Sequence, residues 1–497
     1  MRSQGQSRSV NWAPQTLDVE RLPSTQHQQR RRKAAQHETF TIERLTLGAG
    51  CMFVLVNLVI FLYFMPHHEH HAHHTNWLQH GQHKSVAPAR PPKRTGAALG
   101  LAAALGLAPR KPTPFADPLD PLYGYSTGPS CHRKPPLLPP ESRAPACSDL
   151  LADQEQLVVS NATLHASVIL ISHNEHGCAL RRTILAVLRR STPRSALTEI
   201  IVLDDMSSPT AEAAVQTAGG LDDEDGGSSA SAKVRWVRSD ERLGVARARV
   251  SAAKSAKSPY LVFLDAHCEP QLGWLPPLLA LLSTSPYAVA LPVIEPIDPR
   301  LWTYRPGPTP EHPPRGILAD WNLSFGWRPL SPRERLARSS GDAGGPTYGP
   351  LSPLATPMMA GGVFAITSSW FFESGAYDPA LEVWGIENVE MALRVWTCGG
   401  GLYTLPCSRV GHVFRSKQPF SWPNGTGALT VRRNAWRVAN VWMDETAQAV
   451  GLGNDVRREL RVEDGIEERR ELRRKLNCKP FDWYLKEVHP DHPLLPH

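Results

Sequence analysis

Three short polar clusters contain the residue types that bind a phosphorylated ligand and a metal ion. The most informative is Asp265-Ala-His267, which directly follows the mainly apolar run 260–264. Residues two apart on an extended segment point to the same side, so Asp265 and His267 present a carboxylate oxygen and an imidazole nitrogen to the same space. Taken alone, the triplet fits equally well a strand that ends in a solvated turn with an Asp cap.

The other two clusters, His173-Asn174-Glu175 and Asp204-Asp205, also follow apolar runs. Ligands of open α/β sheets bind in the crevice outside the carboxyl ends of the strands, so three such strand ends would meet in one crevice. Carboxylates and imidazoles grouped there suit a nucleotide and a divalent cation beside its diphosphate. Neither GxGxxG nor GxxxxGKS/T occurs in the chain, so neither a Rossmann dinucleotide site nor a P-loop is supported.

The elements that position these clusters alternate between strand and helix patterns from residue 166 onward. Apolar runs predict strands at 168–171, 200–203, 234–237 and 260–264, and helical patterns cover 180–190 and 244–257. This βαβ repetition predicts a parallel sheet with right-handed crossovers. Residues 219–231 are acidic and rich in Gly and Ser, which predicts a disordered surface insertion.

The amino-terminal part of the chain predicts a membrane anchor. Residues 45–65 carry no charge, and a helix of that length can cross a hydrocarbon core of about 30 Å. The basic cluster 30–33 predicts a cytoplasmic tail at 1–44 and a lumenal remainder, which is a single-pass type II topology. A buried core helix is the alternative, but the polar flanks disfavour it. The net charge of +7 comes from basic residues dispersed among acidic ones, so no nucleic-acid partner is predicted.

Residues 66–139 are Pro-rich and predict a disordered stem. Their His-rich tract 67–74 is interpreted as solvated, because nothing around it fixes a metal geometry. Of the eight cysteines, Cys51 lies in the predicted membrane segment. The remaining seven are an odd number, so at least one is a free thiol or pairs with another molecule.

Ten motifs in the same order resemble the polypeptide N-acetylgalactosaminyltransferases, the enzymes that start mucin-type O-glycosylation. The resemblance covers about residues 140–491 and implies an α/β GT-A glycosyltransferase fold, a mostly parallel twisted sheet flanked by helices, with 492–497 as a tail. The motifs lie at residues 167–175, 199–205, 263–269, 320–323, 357–362, 384–388, 395–400, 406–415, 441–445 and 478–485.

The resemblance implies that Asp265, His267 and His412 bind Mn²⁺, which would bridge to the diphosphate of a UDP-sugar. It implies nucleotide or sugar-nucleotide contacts for further residues, namely His173, Asp205, Arg242 and Arg415, the last beside the phosphates.

At the sugar, the resemblance implies close backbone approach at Gly361 and Gly362 and polar contacts from Glu387 and Asn388. Trp384 would help to close the site. The implied catalytic set is Asp265, His267, Glu387 and Trp384.

The implied reaction is retaining transfer of GalNAc from UDP-GalNAc to Ser or Thr of protein acceptors, at the Golgi membrane. Trp321 and Phe414 would line the acceptor groove, although core packing explains Trp321 nearly as well. Two other functions remain open. One is a related GT-A transferase with another UDP-sugar or a glycan acceptor, and the other is a catalytically weak binding or scaffold protein.

The resemblance also implies the disulfides Cys147–Cys407 and Cys398–Cys478, which leaves Cys131, Cys178 and Cys268 as thiols. Three residues depart from the usual family pattern. Ile386 replaces a glycine, Ala266 a serine and Phe420 a tyrosine. The chain stops soon after residue 491, so we expect it to lack the C-terminal lectin domain usual in this family.

Overall fold

The computed structural model describes residues 117–221, 231–305, 313–340, 349–415, 417–422, 427–449 and 465–492. The predicted tail 1–44, the membrane segment 45–65 and the His-rich tract lie outside these residues, as does most of the predicted insertion 219–231. Within the described ranges, no helix has both the length and the apolar character needed to cross a membrane.

The described strands form a nine-stranded sheet and a separate two-stranded sheet, β7 with β8. They are β1 (Ala166–Ser172), β2 (Leu197–Asp204), β3 (Val234–Arg238), β4 (Tyr260–Asp265), β5 (Cys268–Pro270), β6 (Ala288–Pro296), β7 (Arg315–Leu318), β8 (Phe325–Arg328), β9 (Leu354–Ala355), β10 (Phe364–Thr367) and β11 (Gly401–His412).

The large sheet has the strand order β3-β2-β1-β4-β10-β6-β11-β5, with β9 paired to β11. As predicted, β3, β2, β1 and β4 are parallel neighbours. However, β10 runs antiparallel to both β4 and β6. The sheet is therefore mixed where we expected it mostly parallel, because the βαβ repetition that enforces parallel strands ends at β4.

Helices flank the large sheet. They are α1 (Pro129–His132), α2 (Cys147–Ser160), α3 (Gly177–Arg190), α4 (Ala211–Thr217), α5 (Gly244–Lys254), α6 (Leu275–Thr284), α7 (Pro332–Ser340), α8 (Ser368–Glu373), α9 (Glu387–Thr397), α10 (Gly427–Trp442), α11 (Ile466–Lys475) and α12 (Phe481–Trp483), with a π-helical turn at Tyr484–Val488. Short 3₁₀ turns lie at Arg194–Ala196, Ser231–Lys233, Gly349–Leu351 and Asp444–Ala449. Helix α3 starts before its predicted boundary because the His176 side chain accepts a hydrogen bond from the Cys178 N–H.

The core lies on both faces of the large sheet. On β1, Ile169 belongs to one hydrophobic cluster, whereas Val168 and Leu170 belong to the other. Alanines of α5 cover the first cluster, and leucines of α3 cover the second. Burial on both faces explains why these strands are continuous apolar runs, and it fixes the strand ends that carry the polar clusters.

Three disulfides tie the described chain together. Cys147–Cys407 and Cys398–Cys478 confirm the pairings that the family resemblance implies. The assignment of Cys131 and Cys178 as thiols was wrong, since they form a third disulfide. Sequence spacing could not reveal it, because Cys131 lies in the segment expected to be a disordered stem. Cys268 is free and buried, which agrees with the odd cysteine count.

Candidate active site

A cleft of about 530 Å³ opens where the carboxyl ends of β1 and β4 meet the end of β11. This volume lies within the range of small-molecule binding sites. Most of the residues predicted for the site line this cleft, namely His173, Arg242, Asp265, His267, Gly362, Trp384, Glu387, Asn388, His412 and Arg415.

Pairing of β5 with β11 assembles the candidate metal ligands. The two strands are antiparallel, and His412 lies opposite Cys268, the residue that follows His267. Ligand atoms of Asp265, His267 and His412 all lie within 4.8 Å of one another. His412 Nε2 is 3.2 Å from Asp265 Oδ2. A residue 147 positions downstream of Asp265 is thus brought into the site by the sheet itself.

The surroundings of these ligands set their charge. Burial, and secondly the charge of Arg415, lowers the pKa of His267 below its ordinary value. Burial pushes the pKa of Asp265 up, but the hydrogen bond and charge of His412 hold it well below its usual range. A neutral imidazole and an ionised carboxylate are the forms that bind a metal ion.

Glu175 contacts His267, one of the candidate metal ligands. Its Oε2 lies 3.1 Å from His267 Nδ1, so Nε2 is the ring nitrogen that Glu175 does not engage. Arg415 donates to both oxygens of Glu175, at 3.1 and 3.0 Å. Metal-binding histidines ordinarily hold their second nitrogen on such a carboxylate. Glu175 belongs to the polar cluster at residues 173–175, but the sequence alone assigned it no individual role.

The donor set fits a divalent cation. Besides the carboxylate-bound His267, His412 directs Nε2 toward Asp265, 3.2 Å from its Oδ2. An imidazole nitrogen and a carboxylate oxygen this close together are groups that one metal ion can bind. One carboxylate and two imidazoles suit Mn²⁺, which accepts mixed oxygen and nitrogen ligands.

Arg249 is a buried cation of the site that sequence reasoning missed. Its Nη2 lies 3.4 Å from Asp265 Oδ1, and its Nη1 lies 3.8 Å from Glu387 Oε1. Nη1 also lies 3.4 Å from the Tyr377 hydroxyl. The small residues Ala246, Ala252 and Ala253 mark the buried side of α5, and helical periodicity places position 249 on the same side. That pattern was the available signal.

Glu387 and Asn388 begin helix α9 beside Asp265. The Gly385 N–H donates to Glu387 Oε2 at 2.8 Å, and Asn388 Nδ2 donates to the Met359 carbonyl at 2.9 Å. Burial raises the pKa of Glu387, while the charge of Arg249 opposes this shift. Both polar side chains line the cleft.

The two glycines 361 and 362 are required by the site's own packing. A Cβ on Gly362 would lie 2.1 Å from Asp265 Oδ2, and one on Gly361 would lie 2.5 Å from the Asn388 Cβ. Gly361 also has a φ of +81°. The expected reason for these glycines was close approach of the backbone to a sugar. The structure adds that larger residues would displace Asn388 and the candidate metal ligand Asp265.

Ile386 retains a glycine-like backbone. Its φ is 72°, in the left-handed region, and its side chain is 8% exposed and lines the cleft. A β-branched residue in this region is strained. The loop before α9 thus keeps the shape that glycine would adopt and adds a branched apolar side chain to the wall of the cleft.

The residues predicted for the nucleotide do not all reach the cleft. His173 and Arg242 line it, and burial followed by the charge of Arg242 lowers the pKa of His173 to about 4. Asp205 is fully buried instead. It accepts hydrogen bonds from Arg242 and from the N–H groups of Leu243 and Gly244, at 2.6 and 2.9 Å for the latter two. Asp205 therefore holds the loop that positions Arg242.

Two aromatic side chains remain open to solvent at the cleft. Trp384 is 44% exposed and Phe414 is 51% exposed, and Phe420 also lines the cleft. By contrast, Trp321 packs against the main hydrophobic cluster, with its ring centroid 4.9 Å from that of His492. The geometry of Trp321 agrees with the packing alternative.

Family comparisons agree with this geometry. The family described as Glycosyl transferase family 2 matches residues 167–340, and the one described as N-terminal domain of galactosyltransferase matches residues 351–418. Probable N-acetylgalactosaminyltransferase 6 of Caenorhabditis elegans is 36% identical over 359 residues, which is 71% of this chain and 53% of the relative. Polypeptide N-acetylgalactosaminyltransferase 3 of Taeniopygia guttata is 39% identical over 367 residues, or 73% and 55%. The chain spans about half the length of the curated relatives it matches.

A solved structure shows the same fold. The crystal structure of GalNAc-T7 with UDP, GalNAc and Mn²⁺ matches with a TM-score of 0.56 at 28% identity, covering 78% of this chain and 74% of that chain. This match confirms the predicted GT-A fold, with a mixed sheet flanked by helices. By sequence and by fold, the chain belongs to the polypeptide N-acetylgalactosaminyltransferase family.

Proposed function

We propose that this chain is a Mn²⁺-dependent retaining transferase that moves GalNAc from UDP-GalNAc to Ser or Thr hydroxyls of proteins. The observation that carries the proposal is the grouping of Asp265, His267 and His412 in a cleft that Glu387 and Asn388 also line. The names of the relatives support the reaction, and the GalNAc-T7 structure with UDP, GalNAc and Mn²⁺ supports the donor and the cation.

Five residues form what we call the metal end of the cleft: Glu175, Asp265, His267, His412 and Arg415. Mn²⁺ held there would supply positive charge to stabilise a departing diphosphate. Glu175 fixes the guanidinium of Arg415, which we assign to hydrogen bonds with phosphate oxygens. Across the cleft, His173 and Arg242 are assigned to the remainder of the nucleotide.

Residues 384–388 form what we call the sugar end of the cleft. Glu387 and Asn388 are assigned to hydrogen bonds with sugar hydroxyls. Arg249 lies between Asp265 and Glu387, so its charge favours the ionised form of both carboxylates. We assign the exposed Trp384 to closing the site over the donor, and Phe414 to contact with the acceptor.

A second candidate is transfer of a different UDP-sugar by the same machinery. Ile386 favours it, because this side chain lies at the sugar end where the family pattern has a glycine. A methyl-sized change in a pocket alters the preference between substrates about 10-fold to 200-fold. Ile386 is therefore large enough to change which sugar is used.

We also infer that the protein is a single-pass type II membrane protein of the Golgi with a lumenal catalytic domain. The uncharged segment 45–65 and the basic cluster before it support this topology. The three disulfides support an oxidising compartment. Protease protection of tagged chains in sealed microsomes tests it, since cleavage of a C-terminal tag without detergent would contradict the inference.

Calorimetric titration of UDP with and without Mn²⁺, combined with a turnover assay, separates an enzyme from a binding protein. We expect tight UDP binding that requires Mn²⁺, together with transfer to a Thr-rich and Pro-rich peptide. Metal-dependent binding without turnover of any UDP-sugar would favour the catalytically weak alternative.

A further inference from the structure

Residues 117–134, here called the upstream segment, are fixed on the catalytic domain although they precede residue 140. Trp302 Nε1 donates to the Ser126 carbonyl at 2.9 Å, and Arg182 Nη1 donates to the Arg133 carbonyl at 2.5 Å. The disulfide Cys131–Cys178 joins the segment to α3. Because Cys178 lies three residues after Glu175, this covalent link is close to the metal end of the cleft.

The upstream segment sends one side chain to that end. Tyr125 is fully buried, and its hydroxyl donates a hydrogen bond to Glu175 Oε1. The edge of its ring contacts Trp302, with ring centroids 5.2 Å apart, and Tyr123 stacks on it at 5.5 Å. Packing on two sides therefore fixes the direction in which the Tyr125 hydroxyl points.

Glu175 is the carboxylate between this tyrosine and the metal ligand. Its other oxygen, Oε2, lies 3.1 Å from His267 Nδ1, and Arg415 Nη1 contacts both oxygens. Three groups thus define the plane of one buried carboxylate. Because His267 meets that carboxylate through Nδ1, the plane of Glu175 determines how the imidazole is turned toward Asp265 and His412.

We propose that Tyr125 is a positioning residue of the metal site, which acts through Glu175 to orient the imidazole of His267. The proposal rests on the proposed function to the extent that Asp265, His267 and His412 bind a divalent cation. It makes the upstream segment, which the domain boundary at 140 would exclude, part of the catalytic unit. Removing a group behind a metal ligand lowers metal affinity about 10-fold to 100-fold, and Tyr125 acts one step further back.

The test measures binding of Mn²⁺ to the full-length protein by electron paramagnetic resonance of the free ion. Tyr125→Phe removes the hydroxyl and keeps the ring, and we expect affinity to fall about tenfold. Tyr123→Phe is the matched control, because Tyr123 stacks on Tyr125. In the part of the chain that the structure describes, the Tyr123 hydroxyl makes no hydrogen bond to Glu175. The affinity of this control should equal that of the wild type.

A double-mutant cycle tells positioning through Glu175 from general structural support. In a Glu175→Ala background, which removes the acceptor of the Tyr125 hydrogen bond and itself weakens Mn²⁺ binding, Tyr125→Phe should have no further effect. An equal loss in both backgrounds, or wild-type affinity for Tyr125→Phe alone, would overturn the proposal. Thermal midpoints of all variants identify any loss of affinity that comes from unfolding. The Mn²⁺ affinity of the Cys131→Ala/Cys178→Ala variant tests the contribution of the upstream segment without altering Tyr125.

The experiment also keeps this inference apart from the proposed function. If the wild type binds Mn²⁺ and Asp265→Ala does not, the cation site stands whatever Tyr125→Phe does. If neither binds Mn²⁺, the metal site itself is refuted, and the role of Tyr125 is refuted with it.

Discussion

The metal end and the sugar end of the cleft are built in different ways. At the metal end, Asp265 and His412 sit at the ends of strands in the large sheet, and Glu175 holds His267. At the sugar end, the loop before α9 contains left-handed residues Val383, Gly385 and Ile386, and Trp384 is exposed. A rigid sheet therefore fixes the part that we assign to the diphosphate, whereas a strained loop shapes the part that we assign to the sugar.

The departures from the family pattern also differ between the two ends of the cleft. The candidate metal ligands match the family motifs, apart from the mild change at Ala266 between two of them. Ile386 lies at the sugar end, and Phe420 lines the cleft. We infer that the leaving-group chemistry is common to the family and that the preference for the donor sugar is where this chain differs. The following predictions test that division.

Removal of the candidate metal ligand Asp265 should have the largest effect. Asp265→Ala should lower kcat/KM about a thousandfold, because charge stabilisation by a metal ion is worth several kcal/mol. Steady-state kinetics with saturating Mn²⁺ measure the loss, and an unchanged thermal midpoint excludes unfolding. Near-normal turnover by a folded variant would refute the ligand assignment.

A methyl group added next to that carboxylate should also be costly. In Gly362→Ala the new Cβ would lie 2.1 Å from Asp265 Oδ2, so the carboxylate or the backbone must move. A displacement of about 1 Å in a catalytic group can cost about 100-fold in rate, and we expect a loss of that order together with a higher KM for Mn²⁺. Gly399→Ala is the control for a methyl group added away from the site, because nothing lies within 4 Å of its Cβ, and its φ of +96° adds a backbone strain that Gly362 does not share. A loss of activity in Gly399→Ala as large as that in Gly362→Ala would show that crowding of Asp265 is not the cause.

Ile386→Gly should change selectivity more than stability. We expect the ratio of kcat/KM for UDP-GalNAc to that for UDP-Gal to change about tenfold, as expected for methyl-sized changes in a pocket. Relief of about 1–3 kcal/mol of backbone strain should offset the loss of about 1.5–3 kcal/mol from the buried side chain. The free energy of unfolding should thus stay nearly constant. An unchanged ratio of kcat/KM values for the two donors would show that Ile386 does not determine donor specificity.

Acidification should produce the smallest effect, on the nucleotide side of the cleft. The pKa of His173 is about 4 in the folded protein against an ordinary value of 6.5, so the unfolded chain takes up a proton first as the pH falls. The contribution of His173 to the free energy of unfolding is complete above pH 6.5 and is lost between pH 6.5 and about 4. We expect His173→Gln to reduce the fall in unfolding free energy over this window by about 1 kcal/mol. Denaturant titrations at pH 7, 5.5 and 4.5 measure it, and parallel curves for variant and wild type would contradict it.

Local sequence patterns predicted the first half of the sheet because its strands are buried on both faces and alternate with helices. The direction of β10 and the pairing of β5 with β11 depend on contacts between distant segments, which no local pattern contains. For that reason His412 entered the site only through the family resemblance. The same limit explains Cys131–Cys178, since one partner lies outside the region that the motifs cover.

The site residues also differ in whether the sequence alone could reveal them. Asp265 and His267 are visible in the sequence because two residues on one extended segment share a side. Glu175 and Arg249 act through other residues of the site, so their roles appear only once the fold brings those residues together. The nucleotide contact expected for Asp205 stays a prediction, and the structure adds that its carboxylate accepts hydrogen bonds from the N–H groups of Leu243 and Gly244.

One donor screen tests the central claim most directly. The full-length protein is incubated with Mn²⁺, a Thr-rich and Pro-rich peptide and, in separate reactions, UDP-GalNAc, UDP-GlcNAc, UDP-Gal or UDP-Glc, and mass spectrometry measures the modified peptide. We predict addition of one N-acetylhexosamine from UDP-GalNAc, greater than from any other donor, and its loss on chelation of the metal. Transfer from another donor alone, or transfer that persists after chelation, would contradict the proposed function.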